Sequence, residues 1–269
     1  MNALAIILAR AGSKGLPGKN RMPIAGKPCV QWTIEQAQKA QSVGLVALST
    51  DDESLLALGE RMGITCLRRS AELAGDKATV DAAAREAVLQ VDEILRRPHG
   101  PMSHESRLRV AEANRKDRVP QRGEDSINNI PIVILYANVP VRPADLIDRA
   151  VARLVENECD SVQSYAPVGK YHPWWMTRIE PTTGDVRPWE GDVLNHNIFR
   201  RQDLPPCFVP DGGVIAVTHR SLFREIPGVP DGPHAFFGKD RRGVINPEGA
   251  VIDIDSATDA AVAEVALRA

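Results

Sequence analysis

The sequence has no surplus of charge and no apolar run long enough to cross a bilayer. Its 269 residues include 33 Lys or Arg and 35 Asp or Glu, which gives a formal net charge of −2. This balance offers no electrostatic argument for binding nucleic acid or an anionic membrane. No apolar segment approaches the ~18 residues of a membrane span, and the start lacks the basic flank of a signal peptide. We therefore expect a cytoplasmic protein with neither nucleic acid nor membrane as partner.

Cysteine and histidine are also sparse, and neither shows the spacing of a metal site. The four cysteines contain no C-x-x-C pair, so we expect reduced thiols rather than disulfides. The six histidines have no metal-ligand spacing, and we expect structural roles for His172 and His196. No Ser-His-acid or Cys-His set can be argued from the sequence.

What the sequence does contain is a glycine-rich, cationic turn after its first apolar segment. Residues 3–9 (ALAIILA) are typical of a strand buried on both faces, and the next eleven residues hold three glycines and three cations. Glycine lets the backbone approach a ligand closely, and successive N–H groups in such a turn bind anions. The pattern predicts a phosphate-binding turn at the carboxyl edge of a sheet. A mobile surface loop is the alternative interpretation.

Two common phosphate-binding patterns do not fit this turn. The P-loop requires G-x4-G-K-[ST], but five residues separate Gly12 from Gly18, and Asn20 stands where the hydroxyl should be. The dinucleotide fingerprint requires G-x-G-x-x-G, whereas the glycines here fall at 12, 15 and 18. The turn therefore belongs to another class of phosphate site.

Apolar segments alternate with helical patterns along most of the chain. This order predicts an α/β fold with a doubly wound, mostly parallel, Rossmann-like sheet. We predict strands at residues 3–9, 45–50, 64–69, 130–138, 160–168, 212–218 and 249–255. We predict helices at residues 28–40, at 53–63 with Asp51 as the N-cap or a ligand contact, in a stretch ending near residue 95, and at 144–157 and 256–269.

Two segments interrupt this order. Residues 96–125 are polar and cationic, and predict a solvated insertion, with a cap over the site or an oligomer contact as the alternative. Residues 169–210 hold three of the four tryptophans and predict short strands and turns that form a partner interface. The main α/β domain would then comprise residues 1–168 and 211–269, with 169–210 as a small inserted subdomain.

Two carboxylates near the C-terminus are spaced for one face of a strand. Asp253 and Asp255 are two residues apart, so both side chains would point the same way while Ile254 enters the core. Paired carboxylates repel unless a cation lies between them, and Mg²⁺ prefers oxygen ligands and substrate phosphates. The pair therefore predicts a magnesium site, with a solvated strand end as the alternative. Asp259 is expected to cap the last helix rather than to bind the metal.

The turn resembles the nucleotide-binding motif of the cytidylyltransferases that activate sialic acid and related keto sugar acids. Their pattern A-R-x-x-S-K-G-x-x-x-K-N is matched by ARAGSKGLPGKN at every fixed position. Further similarity is carried by RSAELAGDKAT, RQDLPPCFVPDGG and the final DIDSATD. The resemblance implies a nucleotidyltransferase-type fold, CTP and a keto sugar acid as substrates, a Mg²⁺ cofactor, and a homodimer formed through residues 169–210.

The resemblance also assigns roles to individual residues. Lys19 and Arg10 would be catalytic, and Asp253 and Asp255 would hold the metal. Contacts with the nucleotide are implied for Ala9, Arg10, Gly12, Ser13, Lys14, Gly15, Lys19, Asn20, Arg69, Asp76, Thr79 and Pro140. Contacts with the sugar are implied for Tyr136, Asn138, Arg142, Arg201 and Asp211, with Arg201 crossing from the partner subunit.

The sequence departs from the family pattern mainly around the sugar. The family usually reads Q-P-T-S-P-L-R after its central strand, whereas this chain reads YANVPVR, with Tyr136 in place of the glutamine. Ile215 replaces a frequent tyrosine, and Trp174-Trp175 follow the His172-Pro173 step where a lysine is expected. The expected reaction is transfer of CMP from CTP to a sialic-acid-like keto acid. Use of GTP, use of an eight-carbon sugar acid, and a catalytically silent nucleotide-binding protein are the alternatives.

Overall fold

Seven strands of the chain pair in one central sheet. The computed structural model describes residues 2–12, 15–96 and 127–268. The sheet contains β1 (Ala3–Ala9), β4 (Val43–Thr50), β5 (Thr65–Arg68), β6 (Ile132–Tyr136), β7 (Ser161–Pro167), β10 (Phe208–Val217) and β11 (Arg241–Ile245). Two hairpins lie outside it, namely β2 (Pro23–Ile24) with β3 (Lys27–Pro28), and β8 (Thr177–Ile179) with β9 (Val186–Pro188).

Helices cover both faces of this sheet. They are α1 (Cys29–Lys39), α2 (Glu53–Arg61), α3 (Ala71–Ala74), α4 (Val80–Arg96), α5 (Leu146–Glu156), α6 (His219–Leu222) and α7 (Ala257–Arg268). The strand order is β11-β7-β10-β6-β1-β4-β5. Among the described strands of the sheet, only β10 runs antiparallel to its neighbours, β6 and β7, and the other pairs are parallel. The predicted doubly wound, mostly parallel α/β sheet is confirmed.

The alternation of side chains along β1 explains the two-sided core. Ala5 and Ile7 pack on one face with α1, α2 and α5, whereas Leu4 and Ile6 pack on the other with α4. These four side chains are fully buried. Because both faces of β1 are buried, its side chains are apolar at successive positions, and residues 3–9 form a continuous apolar run.

One predicted helix cap was assigned to the wrong aspartate. Asp52, not Asp51, is the N-cap of α2, and its carboxylate accepts hydrogen bonds from the backbone N–H groups of Ser54 and Leu55. Asp51 instead accepts a hydrogen bond from the backbone N–H of Ala11 at 2.7 Å. The two acids are adjacent in sequence, so the capping pattern alone cannot distinguish them.

The predicted last strand, at residues 249–255, is wrong. Ile252 and Ile254 donate backbone hydrogen bonds to Val141 and Asn138 in the loop after β6, but the segment makes only an isolated bridge. The last strand of the sheet is β11, which pairs with β7 at the sheet edge. β11 was not predicted because it begins with Arg241 and Arg242 and so lacks an apolar run. Such polar residues are common in an edge strand, which is partly exposed to solvent.

Residues 169–210 form the β8–β9 hairpin and short 3-10 turns, as the composition predicted. Several apolar side chains of this arm are exposed, and Phe199 is 82% exposed. The division of the chain into a main domain and a dimerisation subdomain stays a prediction. Most of the predicted insertion at 96–125 lies outside the described residues. Among the described helices, none is long and apolar enough to cross a membrane.

Candidate active site

The cationic turn after β1 meets the acidic segment near the C-terminus. Lys19 Nζ lies 2.6 Å from Asp255 Oδ1, although the two residues are 236 positions apart in sequence. A Cβ added to Gly15 would lie 3.0 Å from the carbonyl oxygen of Asp255. The turn therefore packs against the acidic segment, and a side chain at position 15 would push the two apart.

Internal hydrogen bonds hold the turn in shape. Asn20 is buried, and its Nδ2 donates to the carbonyl oxygen of Arg10 at 2.9 Å, which closes the turn across its base. Gly18 has a φ of +70°, a conformation that favours glycine. A Cβ at Gly12 would meet no atom of the described residues within 4 Å. Ser13 and Lys14 lie outside the described residues.

The cationic turn and the acidic segment border a crevice, and the loop after β6 forms its opposite wall. Asn138 Nδ2 donates to Asp253 Oδ1 and, at 3.1 Å, to the carbonyl oxygen of Ile254. Burial and the neighbouring Asp255 raise the pKa of Asp253 to about 6, although Lys19 and Arg142 oppose the shift. Burial is the larger cause of this shift, and the adjacent acid adds to it.

The donor set at this wall fits a divalent cation. Within the described residues, no group of three or more His, Cys, Asp or Glu side chains is arranged to hold a metal. Asp253 and Asp255 would therefore supply two carboxylates, and the remaining ligands would be phosphate oxygens and water, which is how Mg²⁺ usually binds. Asp259 caps α7, because its carboxylate accepts from the N–H groups of Asp255 and Ser256; that it is not a third ligand stays a prediction.

A cleft of about 540 Å³ adjoins the turn at the ends of β4 and β5. Its lining residues are Asp51, Arg68, Arg69, Ala71, Ala74 and Gly75. Arg69 is buried and donates to Ser49 Oγ and to the carbonyl oxygen of Ser49, and burial lowers its pKa. Arg10 NH1 pairs with Asp76 Oδ1 at 3.0 Å. The structure thus brings Arg10, Arg69 and Asp76 together beside the turn.

Thr79 lies at the exposed start of α4, where its hydroxyl accepts from the N–H of Ala82. Ala9 and Pro140 are buried behind the crevice. The contacts that these residues would make with a nucleotide stay predictions.

Arg142 is a buried cation, and most of its donors are bound within the protein. Its guanidinium donates to the carbonyl oxygens of Gly213, Val139 and Tyr136 and to two side-chain oxygens. Burial lowers its pKa to about 9. It joins β6, β10 and α1 behind the crevice, and only 8% of the residue is exposed, which leaves little of it for a sugar to contact.

Of the other predicted sugar residues, Tyr136 lies on β6 and Asp211 on β10, whereas Arg201 lies in the arm. Tyr136 is half-buried, and its hydroxyl makes no hydrogen bond in the described part of the chain. Its ring lies 3.9 Å from the position that a Cβ would occupy if residue 212 were not glycine. Asp211 accepts from Ser164 Oγ, from Gly213 N–H and from Asn246 Nδ2. Arg201 pairs with Glu248 across an exposed surface.

Sequence reasoning missed Asn246 and Glu248, which hold Asp211 and Arg201. Both residues follow β11, and the failure to predict that strand removed the only signal that could have placed them beside the site. The structural role expected for the two arm histidines stays a prediction, and their described contacts lie within the arm. His172 is buried and its Nδ1 accepts from Trp174 N–H, and His196 stacks on Trp174.

Comparison with known proteins identifies the class to which this site belongs. The family profile described as Cytidylyltransferase matches residues 4–172, which is more than half of the chain. The chain belongs to the cytidylyltransferase family. The matched region contains the cationic turn, the cleft beside it and the loop after β6.

Two relatives and two solved structures add detail. An N-acylneuraminate cytidylyltransferase of Streptococcus agalactiae serotype III is 26% identical over 228 residues, which is 84% of this chain. The chain spans only 45% of that relative's length. A pseudaminic acid cytidylyltransferase of Campylobacter jejuni is 26% identical over 98% of this chain and 96% of its own length.

Among solved structures, CMP:2-keto-3-deoxy-manno-octonic acid synthetase complexed with CTP matches at 14% identity with a TM-score of 0.61, covering 100% of this chain and 99% of its own. A 4-diphosphocytidyl-2C-methyl-D-erythritol synthase matches at 12% identity with a TM-score of 0.59, covering 99% of this chain and 98% of its own. These structural similarities show that the chain has a nucleotidyltransferase fold.

Proposed function

We propose that this protein transfers CMP from CTP to a sialic-acid-like, nine-carbon keto sugar acid and releases pyrophosphate. The observation that carries the proposal is the 2.6 Å contact between Lys19 and Asp255, which joins the cationic turn and the twin acids in one crevice. Family membership and the names of the two relatives support the nucleotide and the class of sugar.

The reaction is a displacement at the α-phosphorus of CTP. The anomeric hydroxyl of the sugar forms the new P–O bond and loses its proton to solvent. The bond from the α-phosphorus to the oxygen that bridges to the β-phosphorus breaks, and pyrophosphate leaves with the electron pair. Positioning and charge stabilisation supply most of the catalysis in such reactions. Lys19 would stabilise the charge at the α-phosphate, while Arg10, Ser13 and Lys14 would bind the leaving pyrophosphate.

Asp253 and Asp255 would hold Mg²⁺ against the phosphates. When bound, the ion would supply positive charge that the turn alone does not provide. The two carboxylates would orient the phosphate chain toward the sugar hydroxyl. Lys19, which pairs with Asp255 here, would exchange that contact for the α-phosphate as the nucleotide enters.

The sugar acid would lie on the β6–β10 side of the crevice. Tyr136 would offer its hydroxyl, Asp211 is held toward that side by Asn246 and Ser164, and Arg142 would shape the wall from behind. In a homodimer formed through residues 169–210, Arg201 would reach the carboxylate of the sugar in the partner subunit. The exposed apolar side chains of that arm support such an interface.

Pyrophosphate release tests the proposal directly. The assay would combine CTP, GTP, UTP or ATP with sialic, pseudaminic and eight-carbon keto sugar acids in the presence of Mg²⁺. We expect release only with CTP and a nine-carbon acid. Release with GTP, or with an eight-carbon acid alone, would replace the proposed substrates with the corresponding alternative. No release with any pair would favour a catalytically silent nucleotide-binding protein.

A further inference from the structure

Asn138 lies directly after β6 and faces the acidic segment across the crevice. We propose that Asn138 is a positioning residue that fixes the carboxylate of Asp253 so that one of its oxygens is presented to a divalent cation. This inference rests on the proposed function, because it needs the cation site. It gives Asn138 a role different from the sugar contact that the family resemblance implies.

The contacts of the amide carry the inference. Asn138 Nδ2 donates to Asp253 Oδ1 and to the carbonyl oxygen of Ile254, so both of its N–H groups are engaged by the acidic segment. The backbone contributes a third contact, because Ile254 N–H donates to the carbonyl oxygen of Asn138 at 2.9 Å. Asn138 therefore contacts Asp253 through its side chain, and it holds the neighbouring Ile254 through both its side chain and its main chain.

This hold is needed because the acidic segment is not part of the sheet. The isolated bridge between Ile252 and Val141 is the only β-pairing of residues 251–255, so no strand ladder fixes the backbone at Asp253. With Oδ1 bound to Asn138, Oδ2 is the oxygen left for another partner. Asp253 Oδ2 lies 3.5 Å from the position that a Cβ would occupy on residue 212, and Tyr136 and Val139 lie 3.9 Å from the same position.

The hydrogen-bonding groups of Asn138 that the acidic segment leaves free argue against a main role in sugar binding. Once both N–H groups are engaged, only the amide oxygen can contact a substrate. A hydrogen-bonded partner behind a metal ligand is the usual means of orienting that ligand, and its loss typically weakens metal binding. Lys19 contacts Asp255 and not Asp253, so in this structure the two acids have different partners.

Binding of Mn²⁺ in the presence of CTP, followed by electron paramagnetic resonance, tests the inference without turnover. Asn138→Leu keeps the size of the side chain and removes its donors, and Asn138→Ala serves if the first variant fails to fold. We expect either variant to weaken Mn²⁺ binding by about 10- to 100-fold. Asn138→Thr, which restores one donor, should recover part of the loss. Asn157→Ala, on the surface at the end of α5, is the matched control and should bind Mn²⁺ like the unaltered protein.

Asp253→Asn separates this inference from the proposed function. If Asp253→Asn loses Mn²⁺ binding while Asn138→Leu and Asn138→Ala keep it, the positioning role is wrong and the cation site stands. If Asp253→Asn also binds Mn²⁺ like the unaltered protein, Asp253 is not a ligand, and both the cation site and the role of Asn138 are overturned.

Discussion

At the scale of single residues, Lys19 connects the two halves of the candidate site. Its side chain is only 16% exposed, and its ammonium group lies 2.6 Å from Asp255. Salt bridges this close to solvent contribute little to stability, since Asp255 itself is largely exposed. The value of Lys19 therefore lies in the positive charge that it brings to the crevice rather than in holding the fold.

Replacement of Lys19 tests that charge. Lys19→Ala should lower kcat by about 10²- to 10³-fold, the usual loss when one stabilising group is removed from a developing charge. The melting temperature should stay close to that of the unaltered protein. Lys39→Ala, in the exposed last turn of α1, is the control and should retain full turnover. Wild-type rates of pyrophosphate release from Lys19→Ala would rule out the assigned role.

Tyr136 is the residue through which the site departs most from the family pattern. Its hydroxyl is uncommitted within the described part of the chain, although burial and Asp253 raise its pKa. A neutral phenol beside the crevice can donate one hydrogen bond to a sugar, and such a bond contributes about 0.5–1.5 kcal/mol.

Tyr136→Phe should therefore raise the KM for the sugar acid by roughly 2- to 10-fold, with the KM for CTP nearly unchanged. Initial-rate kinetics with each substrate varied in turn would measure both constants. Tyr165→Phe is the control, because the hydroxyl of Tyr165 contacts Gln163 on its own strand. An equal rise in both KM values would show that Tyr136 acts on the fold of the crevice and not on the sugar.

At the scale of elements, a buried ionic cluster joins α4 to the end of α6. The carboxylate of Asp81 is fully buried, and it accepts from Arg85 NH1 at 2.6 Å and from Arg224 NH2 at 2.7 Å. Arg85 also donates to the carbonyl oxygen of Leu222. The cluster fixes the start of α4, just after the segment that carries Asp76 and Thr79 toward the nucleotide.

Asp81→Asn should destabilise the protein by about 3–5 kcal/mol, because it leaves two partly buried cations without their partner. Burial raises the pKa of Asp81, but hydrogen bonds from Thr79, Arg85 and Arg224 outweigh it, so the folded pKa is lowered. Ionised Asp81 therefore stabilises the folded protein at pH values above its unfolded pKa of about 3.9. This stabilisation is lost as the pH falls through the folded pKa.

Urea unfolding at neutral and at acidic pH would measure this difference. The gap between the unaltered protein and Asp81→Asn should shrink as the pH decreases. Asp92→Asn, which removes a more exposed partner of Arg96 on the same helix, should cost no more than about 1 kcal/mol. A gap that stays constant down to the lowest pH at which the protein folds would contradict the ionic account of Asp81.

Elements with a strong pattern were predictable from sequence, and elements with a weak one were not. β1 and β6 are continuous apolar runs, and α5 has a buried face of evenly spaced apolar residues, so their positions followed from periodicity. The alternation of Ile252 and Ile254 with acids resembled a strand, yet tertiary contacts with the loop after β6 gave it another conformation. β11 was missed because its first residues are arginines.

At the scale of the whole molecule, the arm of residues 169–210 extends apolar side chains into solvent. Phe199, Ile179 and Trp189 are all more than half exposed in the single chain. Exposed aromatic clusters of this kind commonly mark an interface between subunits. The prediction that the arm forms a homodimer therefore has a specific surface on which it can be tested.

Phe199→Asp should convert the dimer to a monomer, because the new carboxylate would have to be desolvated at the interface. Sedimentation velocity at several protein concentrations would show the change. Val265→Asp, on the exposed face of α7, is the control and should leave the dimer intact. Pyrophosphate release should fall with dissociation if Arg201 acts across the interface, and a fully active monomer would exclude that role.

The site itself was only partly predictable from the sequence. The motif around the turn and the spacing of Asp253 and Asp255 indicated which residues carry charge, and the structure brings Lys19 and Asp255 together. The sequence could not show that Arg142 is occupied internally, nor that Asn138 holds Asp253. Both depend on side-chain contacts between distant segments, for which local patterns carry no signal.

The most direct test of the account is calorimetric titration of CTP with and without Mg²⁺. The central claim is that the turn and the twin acids form one site for a triphosphate and its divalent ion. Mg²⁺ should tighten CTP binding by about tenfold or more in the unaltered protein, which corresponds to about 1.4 kcal/mol. The double variant Asp253→Asn, Asp255→Asn should show no such tightening. Equal tightening in both proteins, or no binding of CTP by the unaltered protein, would contradict the claim.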